Sequence, residues 1–150
     1  MSDQVSQQPS EEARLPREAR AITGTVPYRT EITVRQHALT VDEPSELGGG
    51  DAGPTPFDLV CAALASCTTI TVRMYADRKG WPLEAIEVRA GHARVPAGGD
   101  APSSQVDRFT LSVSLVGDLD EPQRGRLLEI AGRCPVHRML VAGSIIETRA

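Results

Sequence analysis

The chain has 150 residues, enough for one domain with a real hydrophobic core. Its net charge of -4 and its aromatic content of 3% argue against a nucleic-acid-binding protein, which usually has a basic face and stacking rings. The first residues lack the apolar segment of a signal peptide, and no run of about 18 uninterrupted apolar residues predicts a membrane span. We therefore expect a cytoplasmic protein with neither nucleic acid nor membrane as a partner. Because cytosolic thiols stay reduced unless they are catalytic or sensing, the 3 cysteines do not predict a structural disulfide framework.

Residues 1–20 are rich in Ser, Gln, Glu and Pro, show no apolar period and are predicted to form a disordered tail. Residues 21–44 alternate apolar and polar side chains, which predicts two or three half-exposed antiparallel strands. Glycines and prolines crowd residues 44–56, so this segment is predicted to be a loop. Its "GGGDAG" lacks the spacing of a phosphate-binding loop and is interpreted as a flexible approach to the next element.

A long helix is predicted over residues 56–79. Thr55 can cap its start, Pro56 suits its first position, and Lys79 and Gly80 suit its end. The β-branched run "TTITV" favours a strand, but the two ends and one common stripe support the helix. The residues of that stripe are Leu59, Ala63, Ser66, Ile70 and Met74. Because residues 59–67 are apolar nearly all round, the helix must be covered by a sheet and by a partner chain.

The second half of the chain predicts two alternating strands, over 84–95 and 103–117. A helix follows, with Asp120 as its cap, Pro122 at its first position and Gly132 at its end. A short helical turn then covers residues 135–140, and residues 143–150 are predicted to form a last strand. This order of elements predicts an α+β fold with antiparallel sheets.

Two of the cysteines lie on the long helix. Cys61 and Cys67 are separated by about 9 Å along the axis and about 240° around it, so they cannot pair without breaking the helix. Cys61 is interpreted as small apolar filler. Cys67 is either a second core thiol or a nucleophile, and a nucleophile would need a cation or donor that its own helix does not supply within one turn.

The third cysteine has a different setting. Pro135 follows Cys134, which predicts that Cys134 is the N-cap of the turn "PVHRML". Free backbone N–H groups at the helix end, together with Arg133, His137 and Arg138, favour the thiolate there. The alternative is that Cys134 only packs the start of a helix.

A metal site is an alternative role for these cysteines. Cys134 and His137 have a C-x2-H spacing that Cys67 with His37 or His92 could complete, but the paired spacing of zinc sites is absent. We therefore predict neither a metal nor a cofactor, and we interpret His37 and His92 as surface or edge residues.

The segments "LGGGDAGPTPFDLVCAALASCTTITVRMYADRKGW" and "RCPVHRML" resemble the OsmC/Ohr superfamily of thiol-dependent hydroperoxide reductases and their relatives. The resemblance covers residues 21–149 and is strongest to an OsmC-like branch with "GPTPFDL", "MYADRKGW" and "CPVHR". It implies one OsmC-like domain over 21–150, in which antiparallel sheets wrap around a long central helix in an intertwined homodimer.

The resemblance also implies roles for the cysteines. Cys67 would attack a hydroperoxide and become a sulfenic acid, and Cys134 would condense with it to a disulfide. A dithiol reductant of the lipoyl or thioredoxin type would then open that disulfide. Phe57 is expected to line an apolar pocket near Cys67, which would favour organic hydroperoxides.

The chain departs from the family at one position. Peroxidase members carry a glutamate ten residues before the helix cysteine, partnered by an arginine from the N-terminal part of the chain, whereas this chain has Phe57 there. Asp58 follows but points about 100° away. Arg29 and Arg35 are both candidates for the arginine, and Glu46 is a candidate for the carboxylate.

The sequence leaves three alternative functions for this protein. The first is a thiol peroxidase that uses Cys67 and Cys134. The second is a non-peroxidase redox or small-ligand-binding protein on the same scaffold, without the arginine–glutamate clamp. The third is a structural dimer with incidental thiols.

Overall fold

The computed structural model describes residues 17–98 and 104–150. Most of the predicted tail, residues 1–16, lies outside this part of the chain, and the first strand already begins at Arg20. The described chain divides into two compact units, one ending at Thr55 and the other beginning at Pro56.

The first unit contains a three-stranded antiparallel sheet. Its strands are β1 (Arg20–Thr23), β2 (Thr30–Val34) and β3 (His37–Val41), in the order β1-β2-β3. Half-buried side chains of β2 alternate with exposed ones, as the sequence pattern predicts. The prediction of two or three antiparallel strands is confirmed.

The glycine-rich loop after β3 contains the 3-10 turn Ser45–Leu47 and is organised by a buried carboxylate. Asp42 is 1% exposed and accepts the backbone N–H groups of Glu43, Gly50 and Ala52 at 2.8, 3.1 and 3.2 Å. Burial alone raises the pKa of Asp42, but the three N–H donors together hold the pKa below its ordinary value. The segment is a loop, as predicted, and Asp42 gives it a defined set of hydrogen bonds.

The second unit is built on the helix α1 (Pro56–Lys79), whose 24 residues match the predicted bounds. Gly80 takes the left-handed conformation at φ +64 that ends the helix, and its N–H donates to the backbone carbonyl of Asp77 at 3.1 Å. α1 packs on the following strand and on the two later helices. Its buried side chains lie four residues apart, at Leu64, Thr68, Val72 and Ala76.

The rest of α1 leaves much apolar surface exposed. Ile70 and Met74, which belong to the predicted stripe, are 58% and 54% exposed. By length and mean hydropathy, 1.4 over its most apolar window, α1 could cross a membrane, although a core helix passes the same criterion. Only 22% of that window is buried within the chain, so the expectation of a second cover for this helix stands.

A long antiparallel hairpin follows α1, formed by β4 (Leu83–Pro96) and β5 (Gln105–Gly117). Arg73 of α1 holds the start of β4, since its guanidinium donates to the carbonyls of Leu83 and Glu84. The predicted alternation on β5 is confirmed, because half-buried side chains alternate with exposed ones along it: Phe109, Leu111, Val113 and Leu115.

Two short helices complete the second unit, α2 (Glu121–Ala131) and α3 (Pro135–Ala142). Asp120 caps α2 as predicted, but Pro122 occupies the second helical position, because the helix already begins at Glu121. The core joins α1, the start of β4 and α2 through Val72, Ala76, Leu83, Leu119, Leu127, Ile130 and Ala131.

The predicted last strand is wrong. Residues 143–150 are irregular, since Gly143 turns the chain at φ +77 and the segment has no strand partner within 17–98 and 104–150. Ile145 and Ile146 are 94% and 87% exposed, so the apolar pattern that predicts a strand has nothing to pack against among the described residues.

Candidate active site

Cys67 lies near the middle of α1 and is half-buried. Its neighbour Ser66 is exposed and its other neighbour Thr68 is buried, so the thiol stands at the border between the solvent side and the core side of the helix. No hydrogen bond to its sulfur occurs in the part of the chain that the structure describes. The residue is therefore partly exposed within a single copy of the chain.

Cys134 occupies the N-cap of α3, as predicted from Pro135. Its backbone is extended, and its Sγ accepts the backbone N–H of His137 at 3.2 Å. The residue is 0% exposed, so water does not reach the sulfur directly. These contacts supply a donor to the sulfur, which is what a thiolate at a helix N-terminus requires.

α3 packs on α1 and places Cys134 against that helix. The hydroxyl of Thr68, the residue that directly follows Cys67, lies 3.5 Å from Cys134 Sγ. Residues 66 positions apart in the chain therefore meet at one buried contact. Cys134 therefore lies beside the segment of α1 that carries Cys67.

Cys61 is half-buried rather than fully buried. Burial, and secondly the negative charge of Asp58, raise the pKa of its thiol. Cys61 is therefore held as the neutral thiol, in agreement with its interpretation as filler.

The first unit holds the other predicted site residues. Arg29 Nε donates to Glu31 Oε1 at 3.1 Å, and Thr40 donates to the second oxygen of the same carboxylate at 2.9 Å. These two hydrogen bonds, that of Arg29 first, lower the pKa of Glu31. Sequence reasoning did not find Glu31, because an exposed glutamate on an alternating strand carries no signal of its own.

Arg35 and Glu46 are placed differently from Arg29. Arg35 is exposed in the tight turn between β2 and β3, at a positive φ of 54. Glu46 is exposed in the 3-10 turn of the loop. Neither forms an ion pair with a residue in 17–98 or 104–150.

Phe57, which stands where the peroxidase members carry a glutamate, is part of an aromatic stack. The ring of Phe57 lies parallel to that of His92, with centroids 4.5 Å apart, and Phe109 contacts the same imidazole at 4.9 Å. His92 Nε2 lies 2.8 Å from Asp107 Oδ1. His92 lies on β4, an edge strand of a two-stranded sheet, which agrees with the prediction of a surface or edge residue, and its side chain is 14% exposed.

The described residues contain no group of three or more His, Cys, Asp or Glu side chains that could hold a metal ion. His137 meets Cys134 through its backbone N–H. The contact that joins Cys134 to α1 is thus the one with Thr68, the residue after Cys67.

Comparison with known proteins decides the family. The model of the OsmC-like protein family matches residues 48–149, which include α1, both long strands and the two short helices. The chain belongs to the OsmC-like protein family. This confirms the resemblance inferred from the two sequence segments. No match was found among curated proteins.

Solved structures of OsmC-like proteins share the fold. An organic hydroperoxide resistance protein OsmC from Legionella pneumophila is 19% identical, with a TM-score of 0.65 over 84% of this chain and 89% of that chain. An OsmC-like protein from Mycoplasma pneumoniae is 17% identical, with a TM-score of 0.69 over 85% and 88%. The organic hydroperoxide resistance protein OhrB of Bacillus subtilis is 20% identical, with a TM-score of 0.61 over 83% and 90%. These neighbours confirm the α+β fold with antiparallel sheets and a long central helix.

Proposed function

We propose that this OsmC-like protein is a thiol-dependent hydroperoxide reductase that cycles between Cys67 and Cys134. The observation that carries the proposal is the 3.5 Å contact of Thr68 with Cys134 Sγ, next to Cys67. Burial supports the division of roles: Cys67 is half-buried and reachable by a peroxide, whereas Cys134 is 0% exposed and shielded from one.

The proposed cycle has three steps. The Cys67 thiolate attacks the O–O bond of a hydroperoxide ROOH, takes one oxygen as sulfenic acid and releases the alcohol ROH after protonation. Cys134 then attacks the oxidised sulfur, so that the S–O bond breaks, the S–S bond forms and water leaves. A dithiol reductant of the lipoyl or thioredoxin type reduces this disulfide by exchange and becomes a disulfide itself.

The proposal includes the setting of the reaction. The oxidant is a small-molecule hydroperoxide, with organic hydroperoxides favoured by the half-exposed ring of Phe57. The protein acts as a homodimer in the cytoplasm, and a second copy covers the apolar side of α1. Arg29 and Arg35 are both kept as candidates for the cation that would favour the Cys67 thiolate, and of the two only Arg29 forms an ion pair among the described residues, with Glu31.

A second candidate function is a non-peroxidase redox or ligand-binding protein. It is favoured by Phe57, which stacks on His92 where peroxidase members carry a glutamate. In that case the two thiols would still pair under mild oxidants but would react slowly with peroxides.

The test measures the number of free thiols and the mass of the protein after one equivalent of cumene hydroperoxide or hydrogen peroxide is added to the reduced protein. We expect the parent to lose two of its 3 thiols and about 2 Da, because a disulfide forms. Cys134→Ser should stop at a sulfenic acid that dimedone traps, with a gain of about 16 Da before trapping. Cys67→Ser should lose no thiol at a comparable rate.

Cys61→Ser is the matched control, since Cys61 shares the helix but has no role in the cycle. It should react like the parent. If diamide forms the Cys67–Cys134 disulfide but neither peroxide oxidises the parent faster than Cys67→Ser, the second function is correct. If no oxidant joins the two cysteines, the thiols are incidental and the structural-dimer interpretation is correct.

A further inference from the structure

Thr68 is a buried polar residue on the core side of α1. Its side chain is 0% exposed, and its Oγ1 lies 2.8 Å from the carbonyl oxygen of Leu64, one turn earlier. This bond alone satisfies the hydroxyl donor, as threonines inside helices commonly do. The contact with Cys134 Sγ at 3.5 Å is therefore additional to what helix formation requires.

A hydroxyl has one proton to donate and lone pairs to accept with. While Cys134 is a thiol, its S–H can donate to Thr68 Oγ1, and the hydroxyl proton stays on the Leu64 carbonyl. When Cys134 is ionised, rotation about the C–O bond turns the same proton to the sulfur. The hydroxyl thus serves either protonation state without movement of a heavy atom.

The sulfur of Cys134 has a second fixed donor, the backbone N–H of His137 at 3.2 Å. The two donors belong to different elements, α1 and the start of α3, and the sulfur is enclosed between them. Because no water reaches a 0% exposed sulfur directly, these two groups take the place of its hydration.

We propose that Thr68 is a positioning residue that stabilises the Cys134 thiolate and aims it at Cys67. The proposal rests on the proposed pairing of Cys67 with Cys134, but not on the identity of the oxidant. In the resolving step Cys134 loses its proton and attacks the sulfenic sulfur of Cys67. The S–S bond forms, the S–O bond breaks, and the departing hydroxide combines with the released proton as water. The hydroxyl of Thr68 then donates its hydrogen bond to the Leu64 carbonyl again.

An aromatic disulfide, dithiobisnitrobenzoate, separates this step from peroxide chemistry in a Cys61→Ser background. Cys67 attacks the reagent first, forms a mixed disulfide and releases one nitrothiobenzoate. Cys134 then attacks Cys67 Sγ, breaks the mixed disulfide and releases a second. The two releases are followed by absorbance in a stopped-flow instrument.

Thr68→Val keeps the branched shape but removes the hydroxyl, and Thr68→Ser keeps the hydroxyl. We expect Thr68→Val to slow the second release about tenfold or more at neutral pH while the first release is unchanged. The deficit should shrink as pH rises, because more thiolate forms without help. Thr68→Ser should restore the second release to within about threefold of the parent.

Three results would overturn the inference. The first is equal second-release rates in Thr68→Val and the parent. The second is slowing of both releases together, or an equal defect in Thr68→Ser, either of which would mean that Thr68 acts only by packing. The third is absence of a second release from the parent. If the second release depends on Thr68 but peroxides form no sulfenic acid at Cys67, the hydroperoxide reductase function fails and the role of Thr68 stands.

Discussion

At the scale of residues, the arginines of the first unit differ in what holds them. Arg29 is fixed by Glu31, and Glu31 is fixed in turn by Thr40. Arg35 is exposed at a turn and has no ion-pair partner among residues 17–98 and 104–150. Of these two arginines, only Arg29 therefore has an ion-pair partner among the described residues, which distinguishes it as a candidate.

Substitution of each arginine tests this choice. We expect Arg29→Ala to slow oxidation of Cys67 by cumene hydroperoxide by at least about tenfold, because it removes a preorganised cation. Glu31→Gln should produce a smaller loss by the same route. The measurement is the stopped-flow rate of sulfenic acid formation in a Cys134→Ser background. If Arg35→Ala loses the rate and Arg29→Ala does not, the activating cation is Arg35.

At the scale of elements, the starts of the two short helices are set by local capping contacts, and the capping residues can be recognised in the sequence. Asp120 Oδ1 accepts the N–H of Gln123 at 2.8 Å, and Gln123 Oε1 accepts the N–H of Asp120 at 3.0 Å. This reciprocal pair satisfies two backbone donors at the start of α2. α3 begins in a similar manner, but there a sulfur, Cys134 Sγ, takes the place of the oxygen.

Removal of the cap of α2 should destabilise the protein measurably. We expect Asp120→Ala to lower the free energy of unfolding by about 1 kcal/mol, since one N–H of the first turn loses its acceptor. Urea denaturation followed by circular dichroism measures the change. Asp118→Ala, at an exposed position just before the cap, is the control and should change the free energy by less than about 0.5 kcal/mol. Equal effects of the two substitutions would contradict the role of the cap.

At the scale of the whole molecule, the exposed side of α1 requires a cover. Cys67, Ile70 and Met74 lie three and four residues apart, so they share one face of the helix. The last two are more than half exposed, and so are Ile145 and Ile146 at the C-terminus. We therefore expect a second copy to cover Ile70 and Met74 on this face.

A charge on this face tests the homodimer. We expect the parent to sediment as a dimer and Ile70→Glu to sediment as a monomer, because dimer formation would bury an unpaired carboxylate. Arg78→Glu, an exposed position near the end of the same helix, should leave the dimer intact. A monomeric parent, or an Ile70→Glu protein as dimeric as the parent, would rule out this face as the interface.

The sequence by itself determined the features that depend on neighbouring residues. Pro56 and Gly80 set both ends of α1, Asp120 and Pro135 set the starts of α2 and α3, and the motifs around the two cysteines indicated the family. Caps and turns form within a few residues, so their signals are local and can be read without coordinates.

Only the tertiary structure decided which side of α1 is buried and what meets it there. A helix that is apolar nearly all round has no pattern that selects one face, so the burial of Thr68 depends on α2, α3 and β4 packing against it. The predicted last strand failed for the same reason, since a strand needs a partner that residues 143–150 do not find in the described chain. The contact between Thr68 and Cys134 joins residues 66 positions apart, and such contacts arise only when separate elements pack.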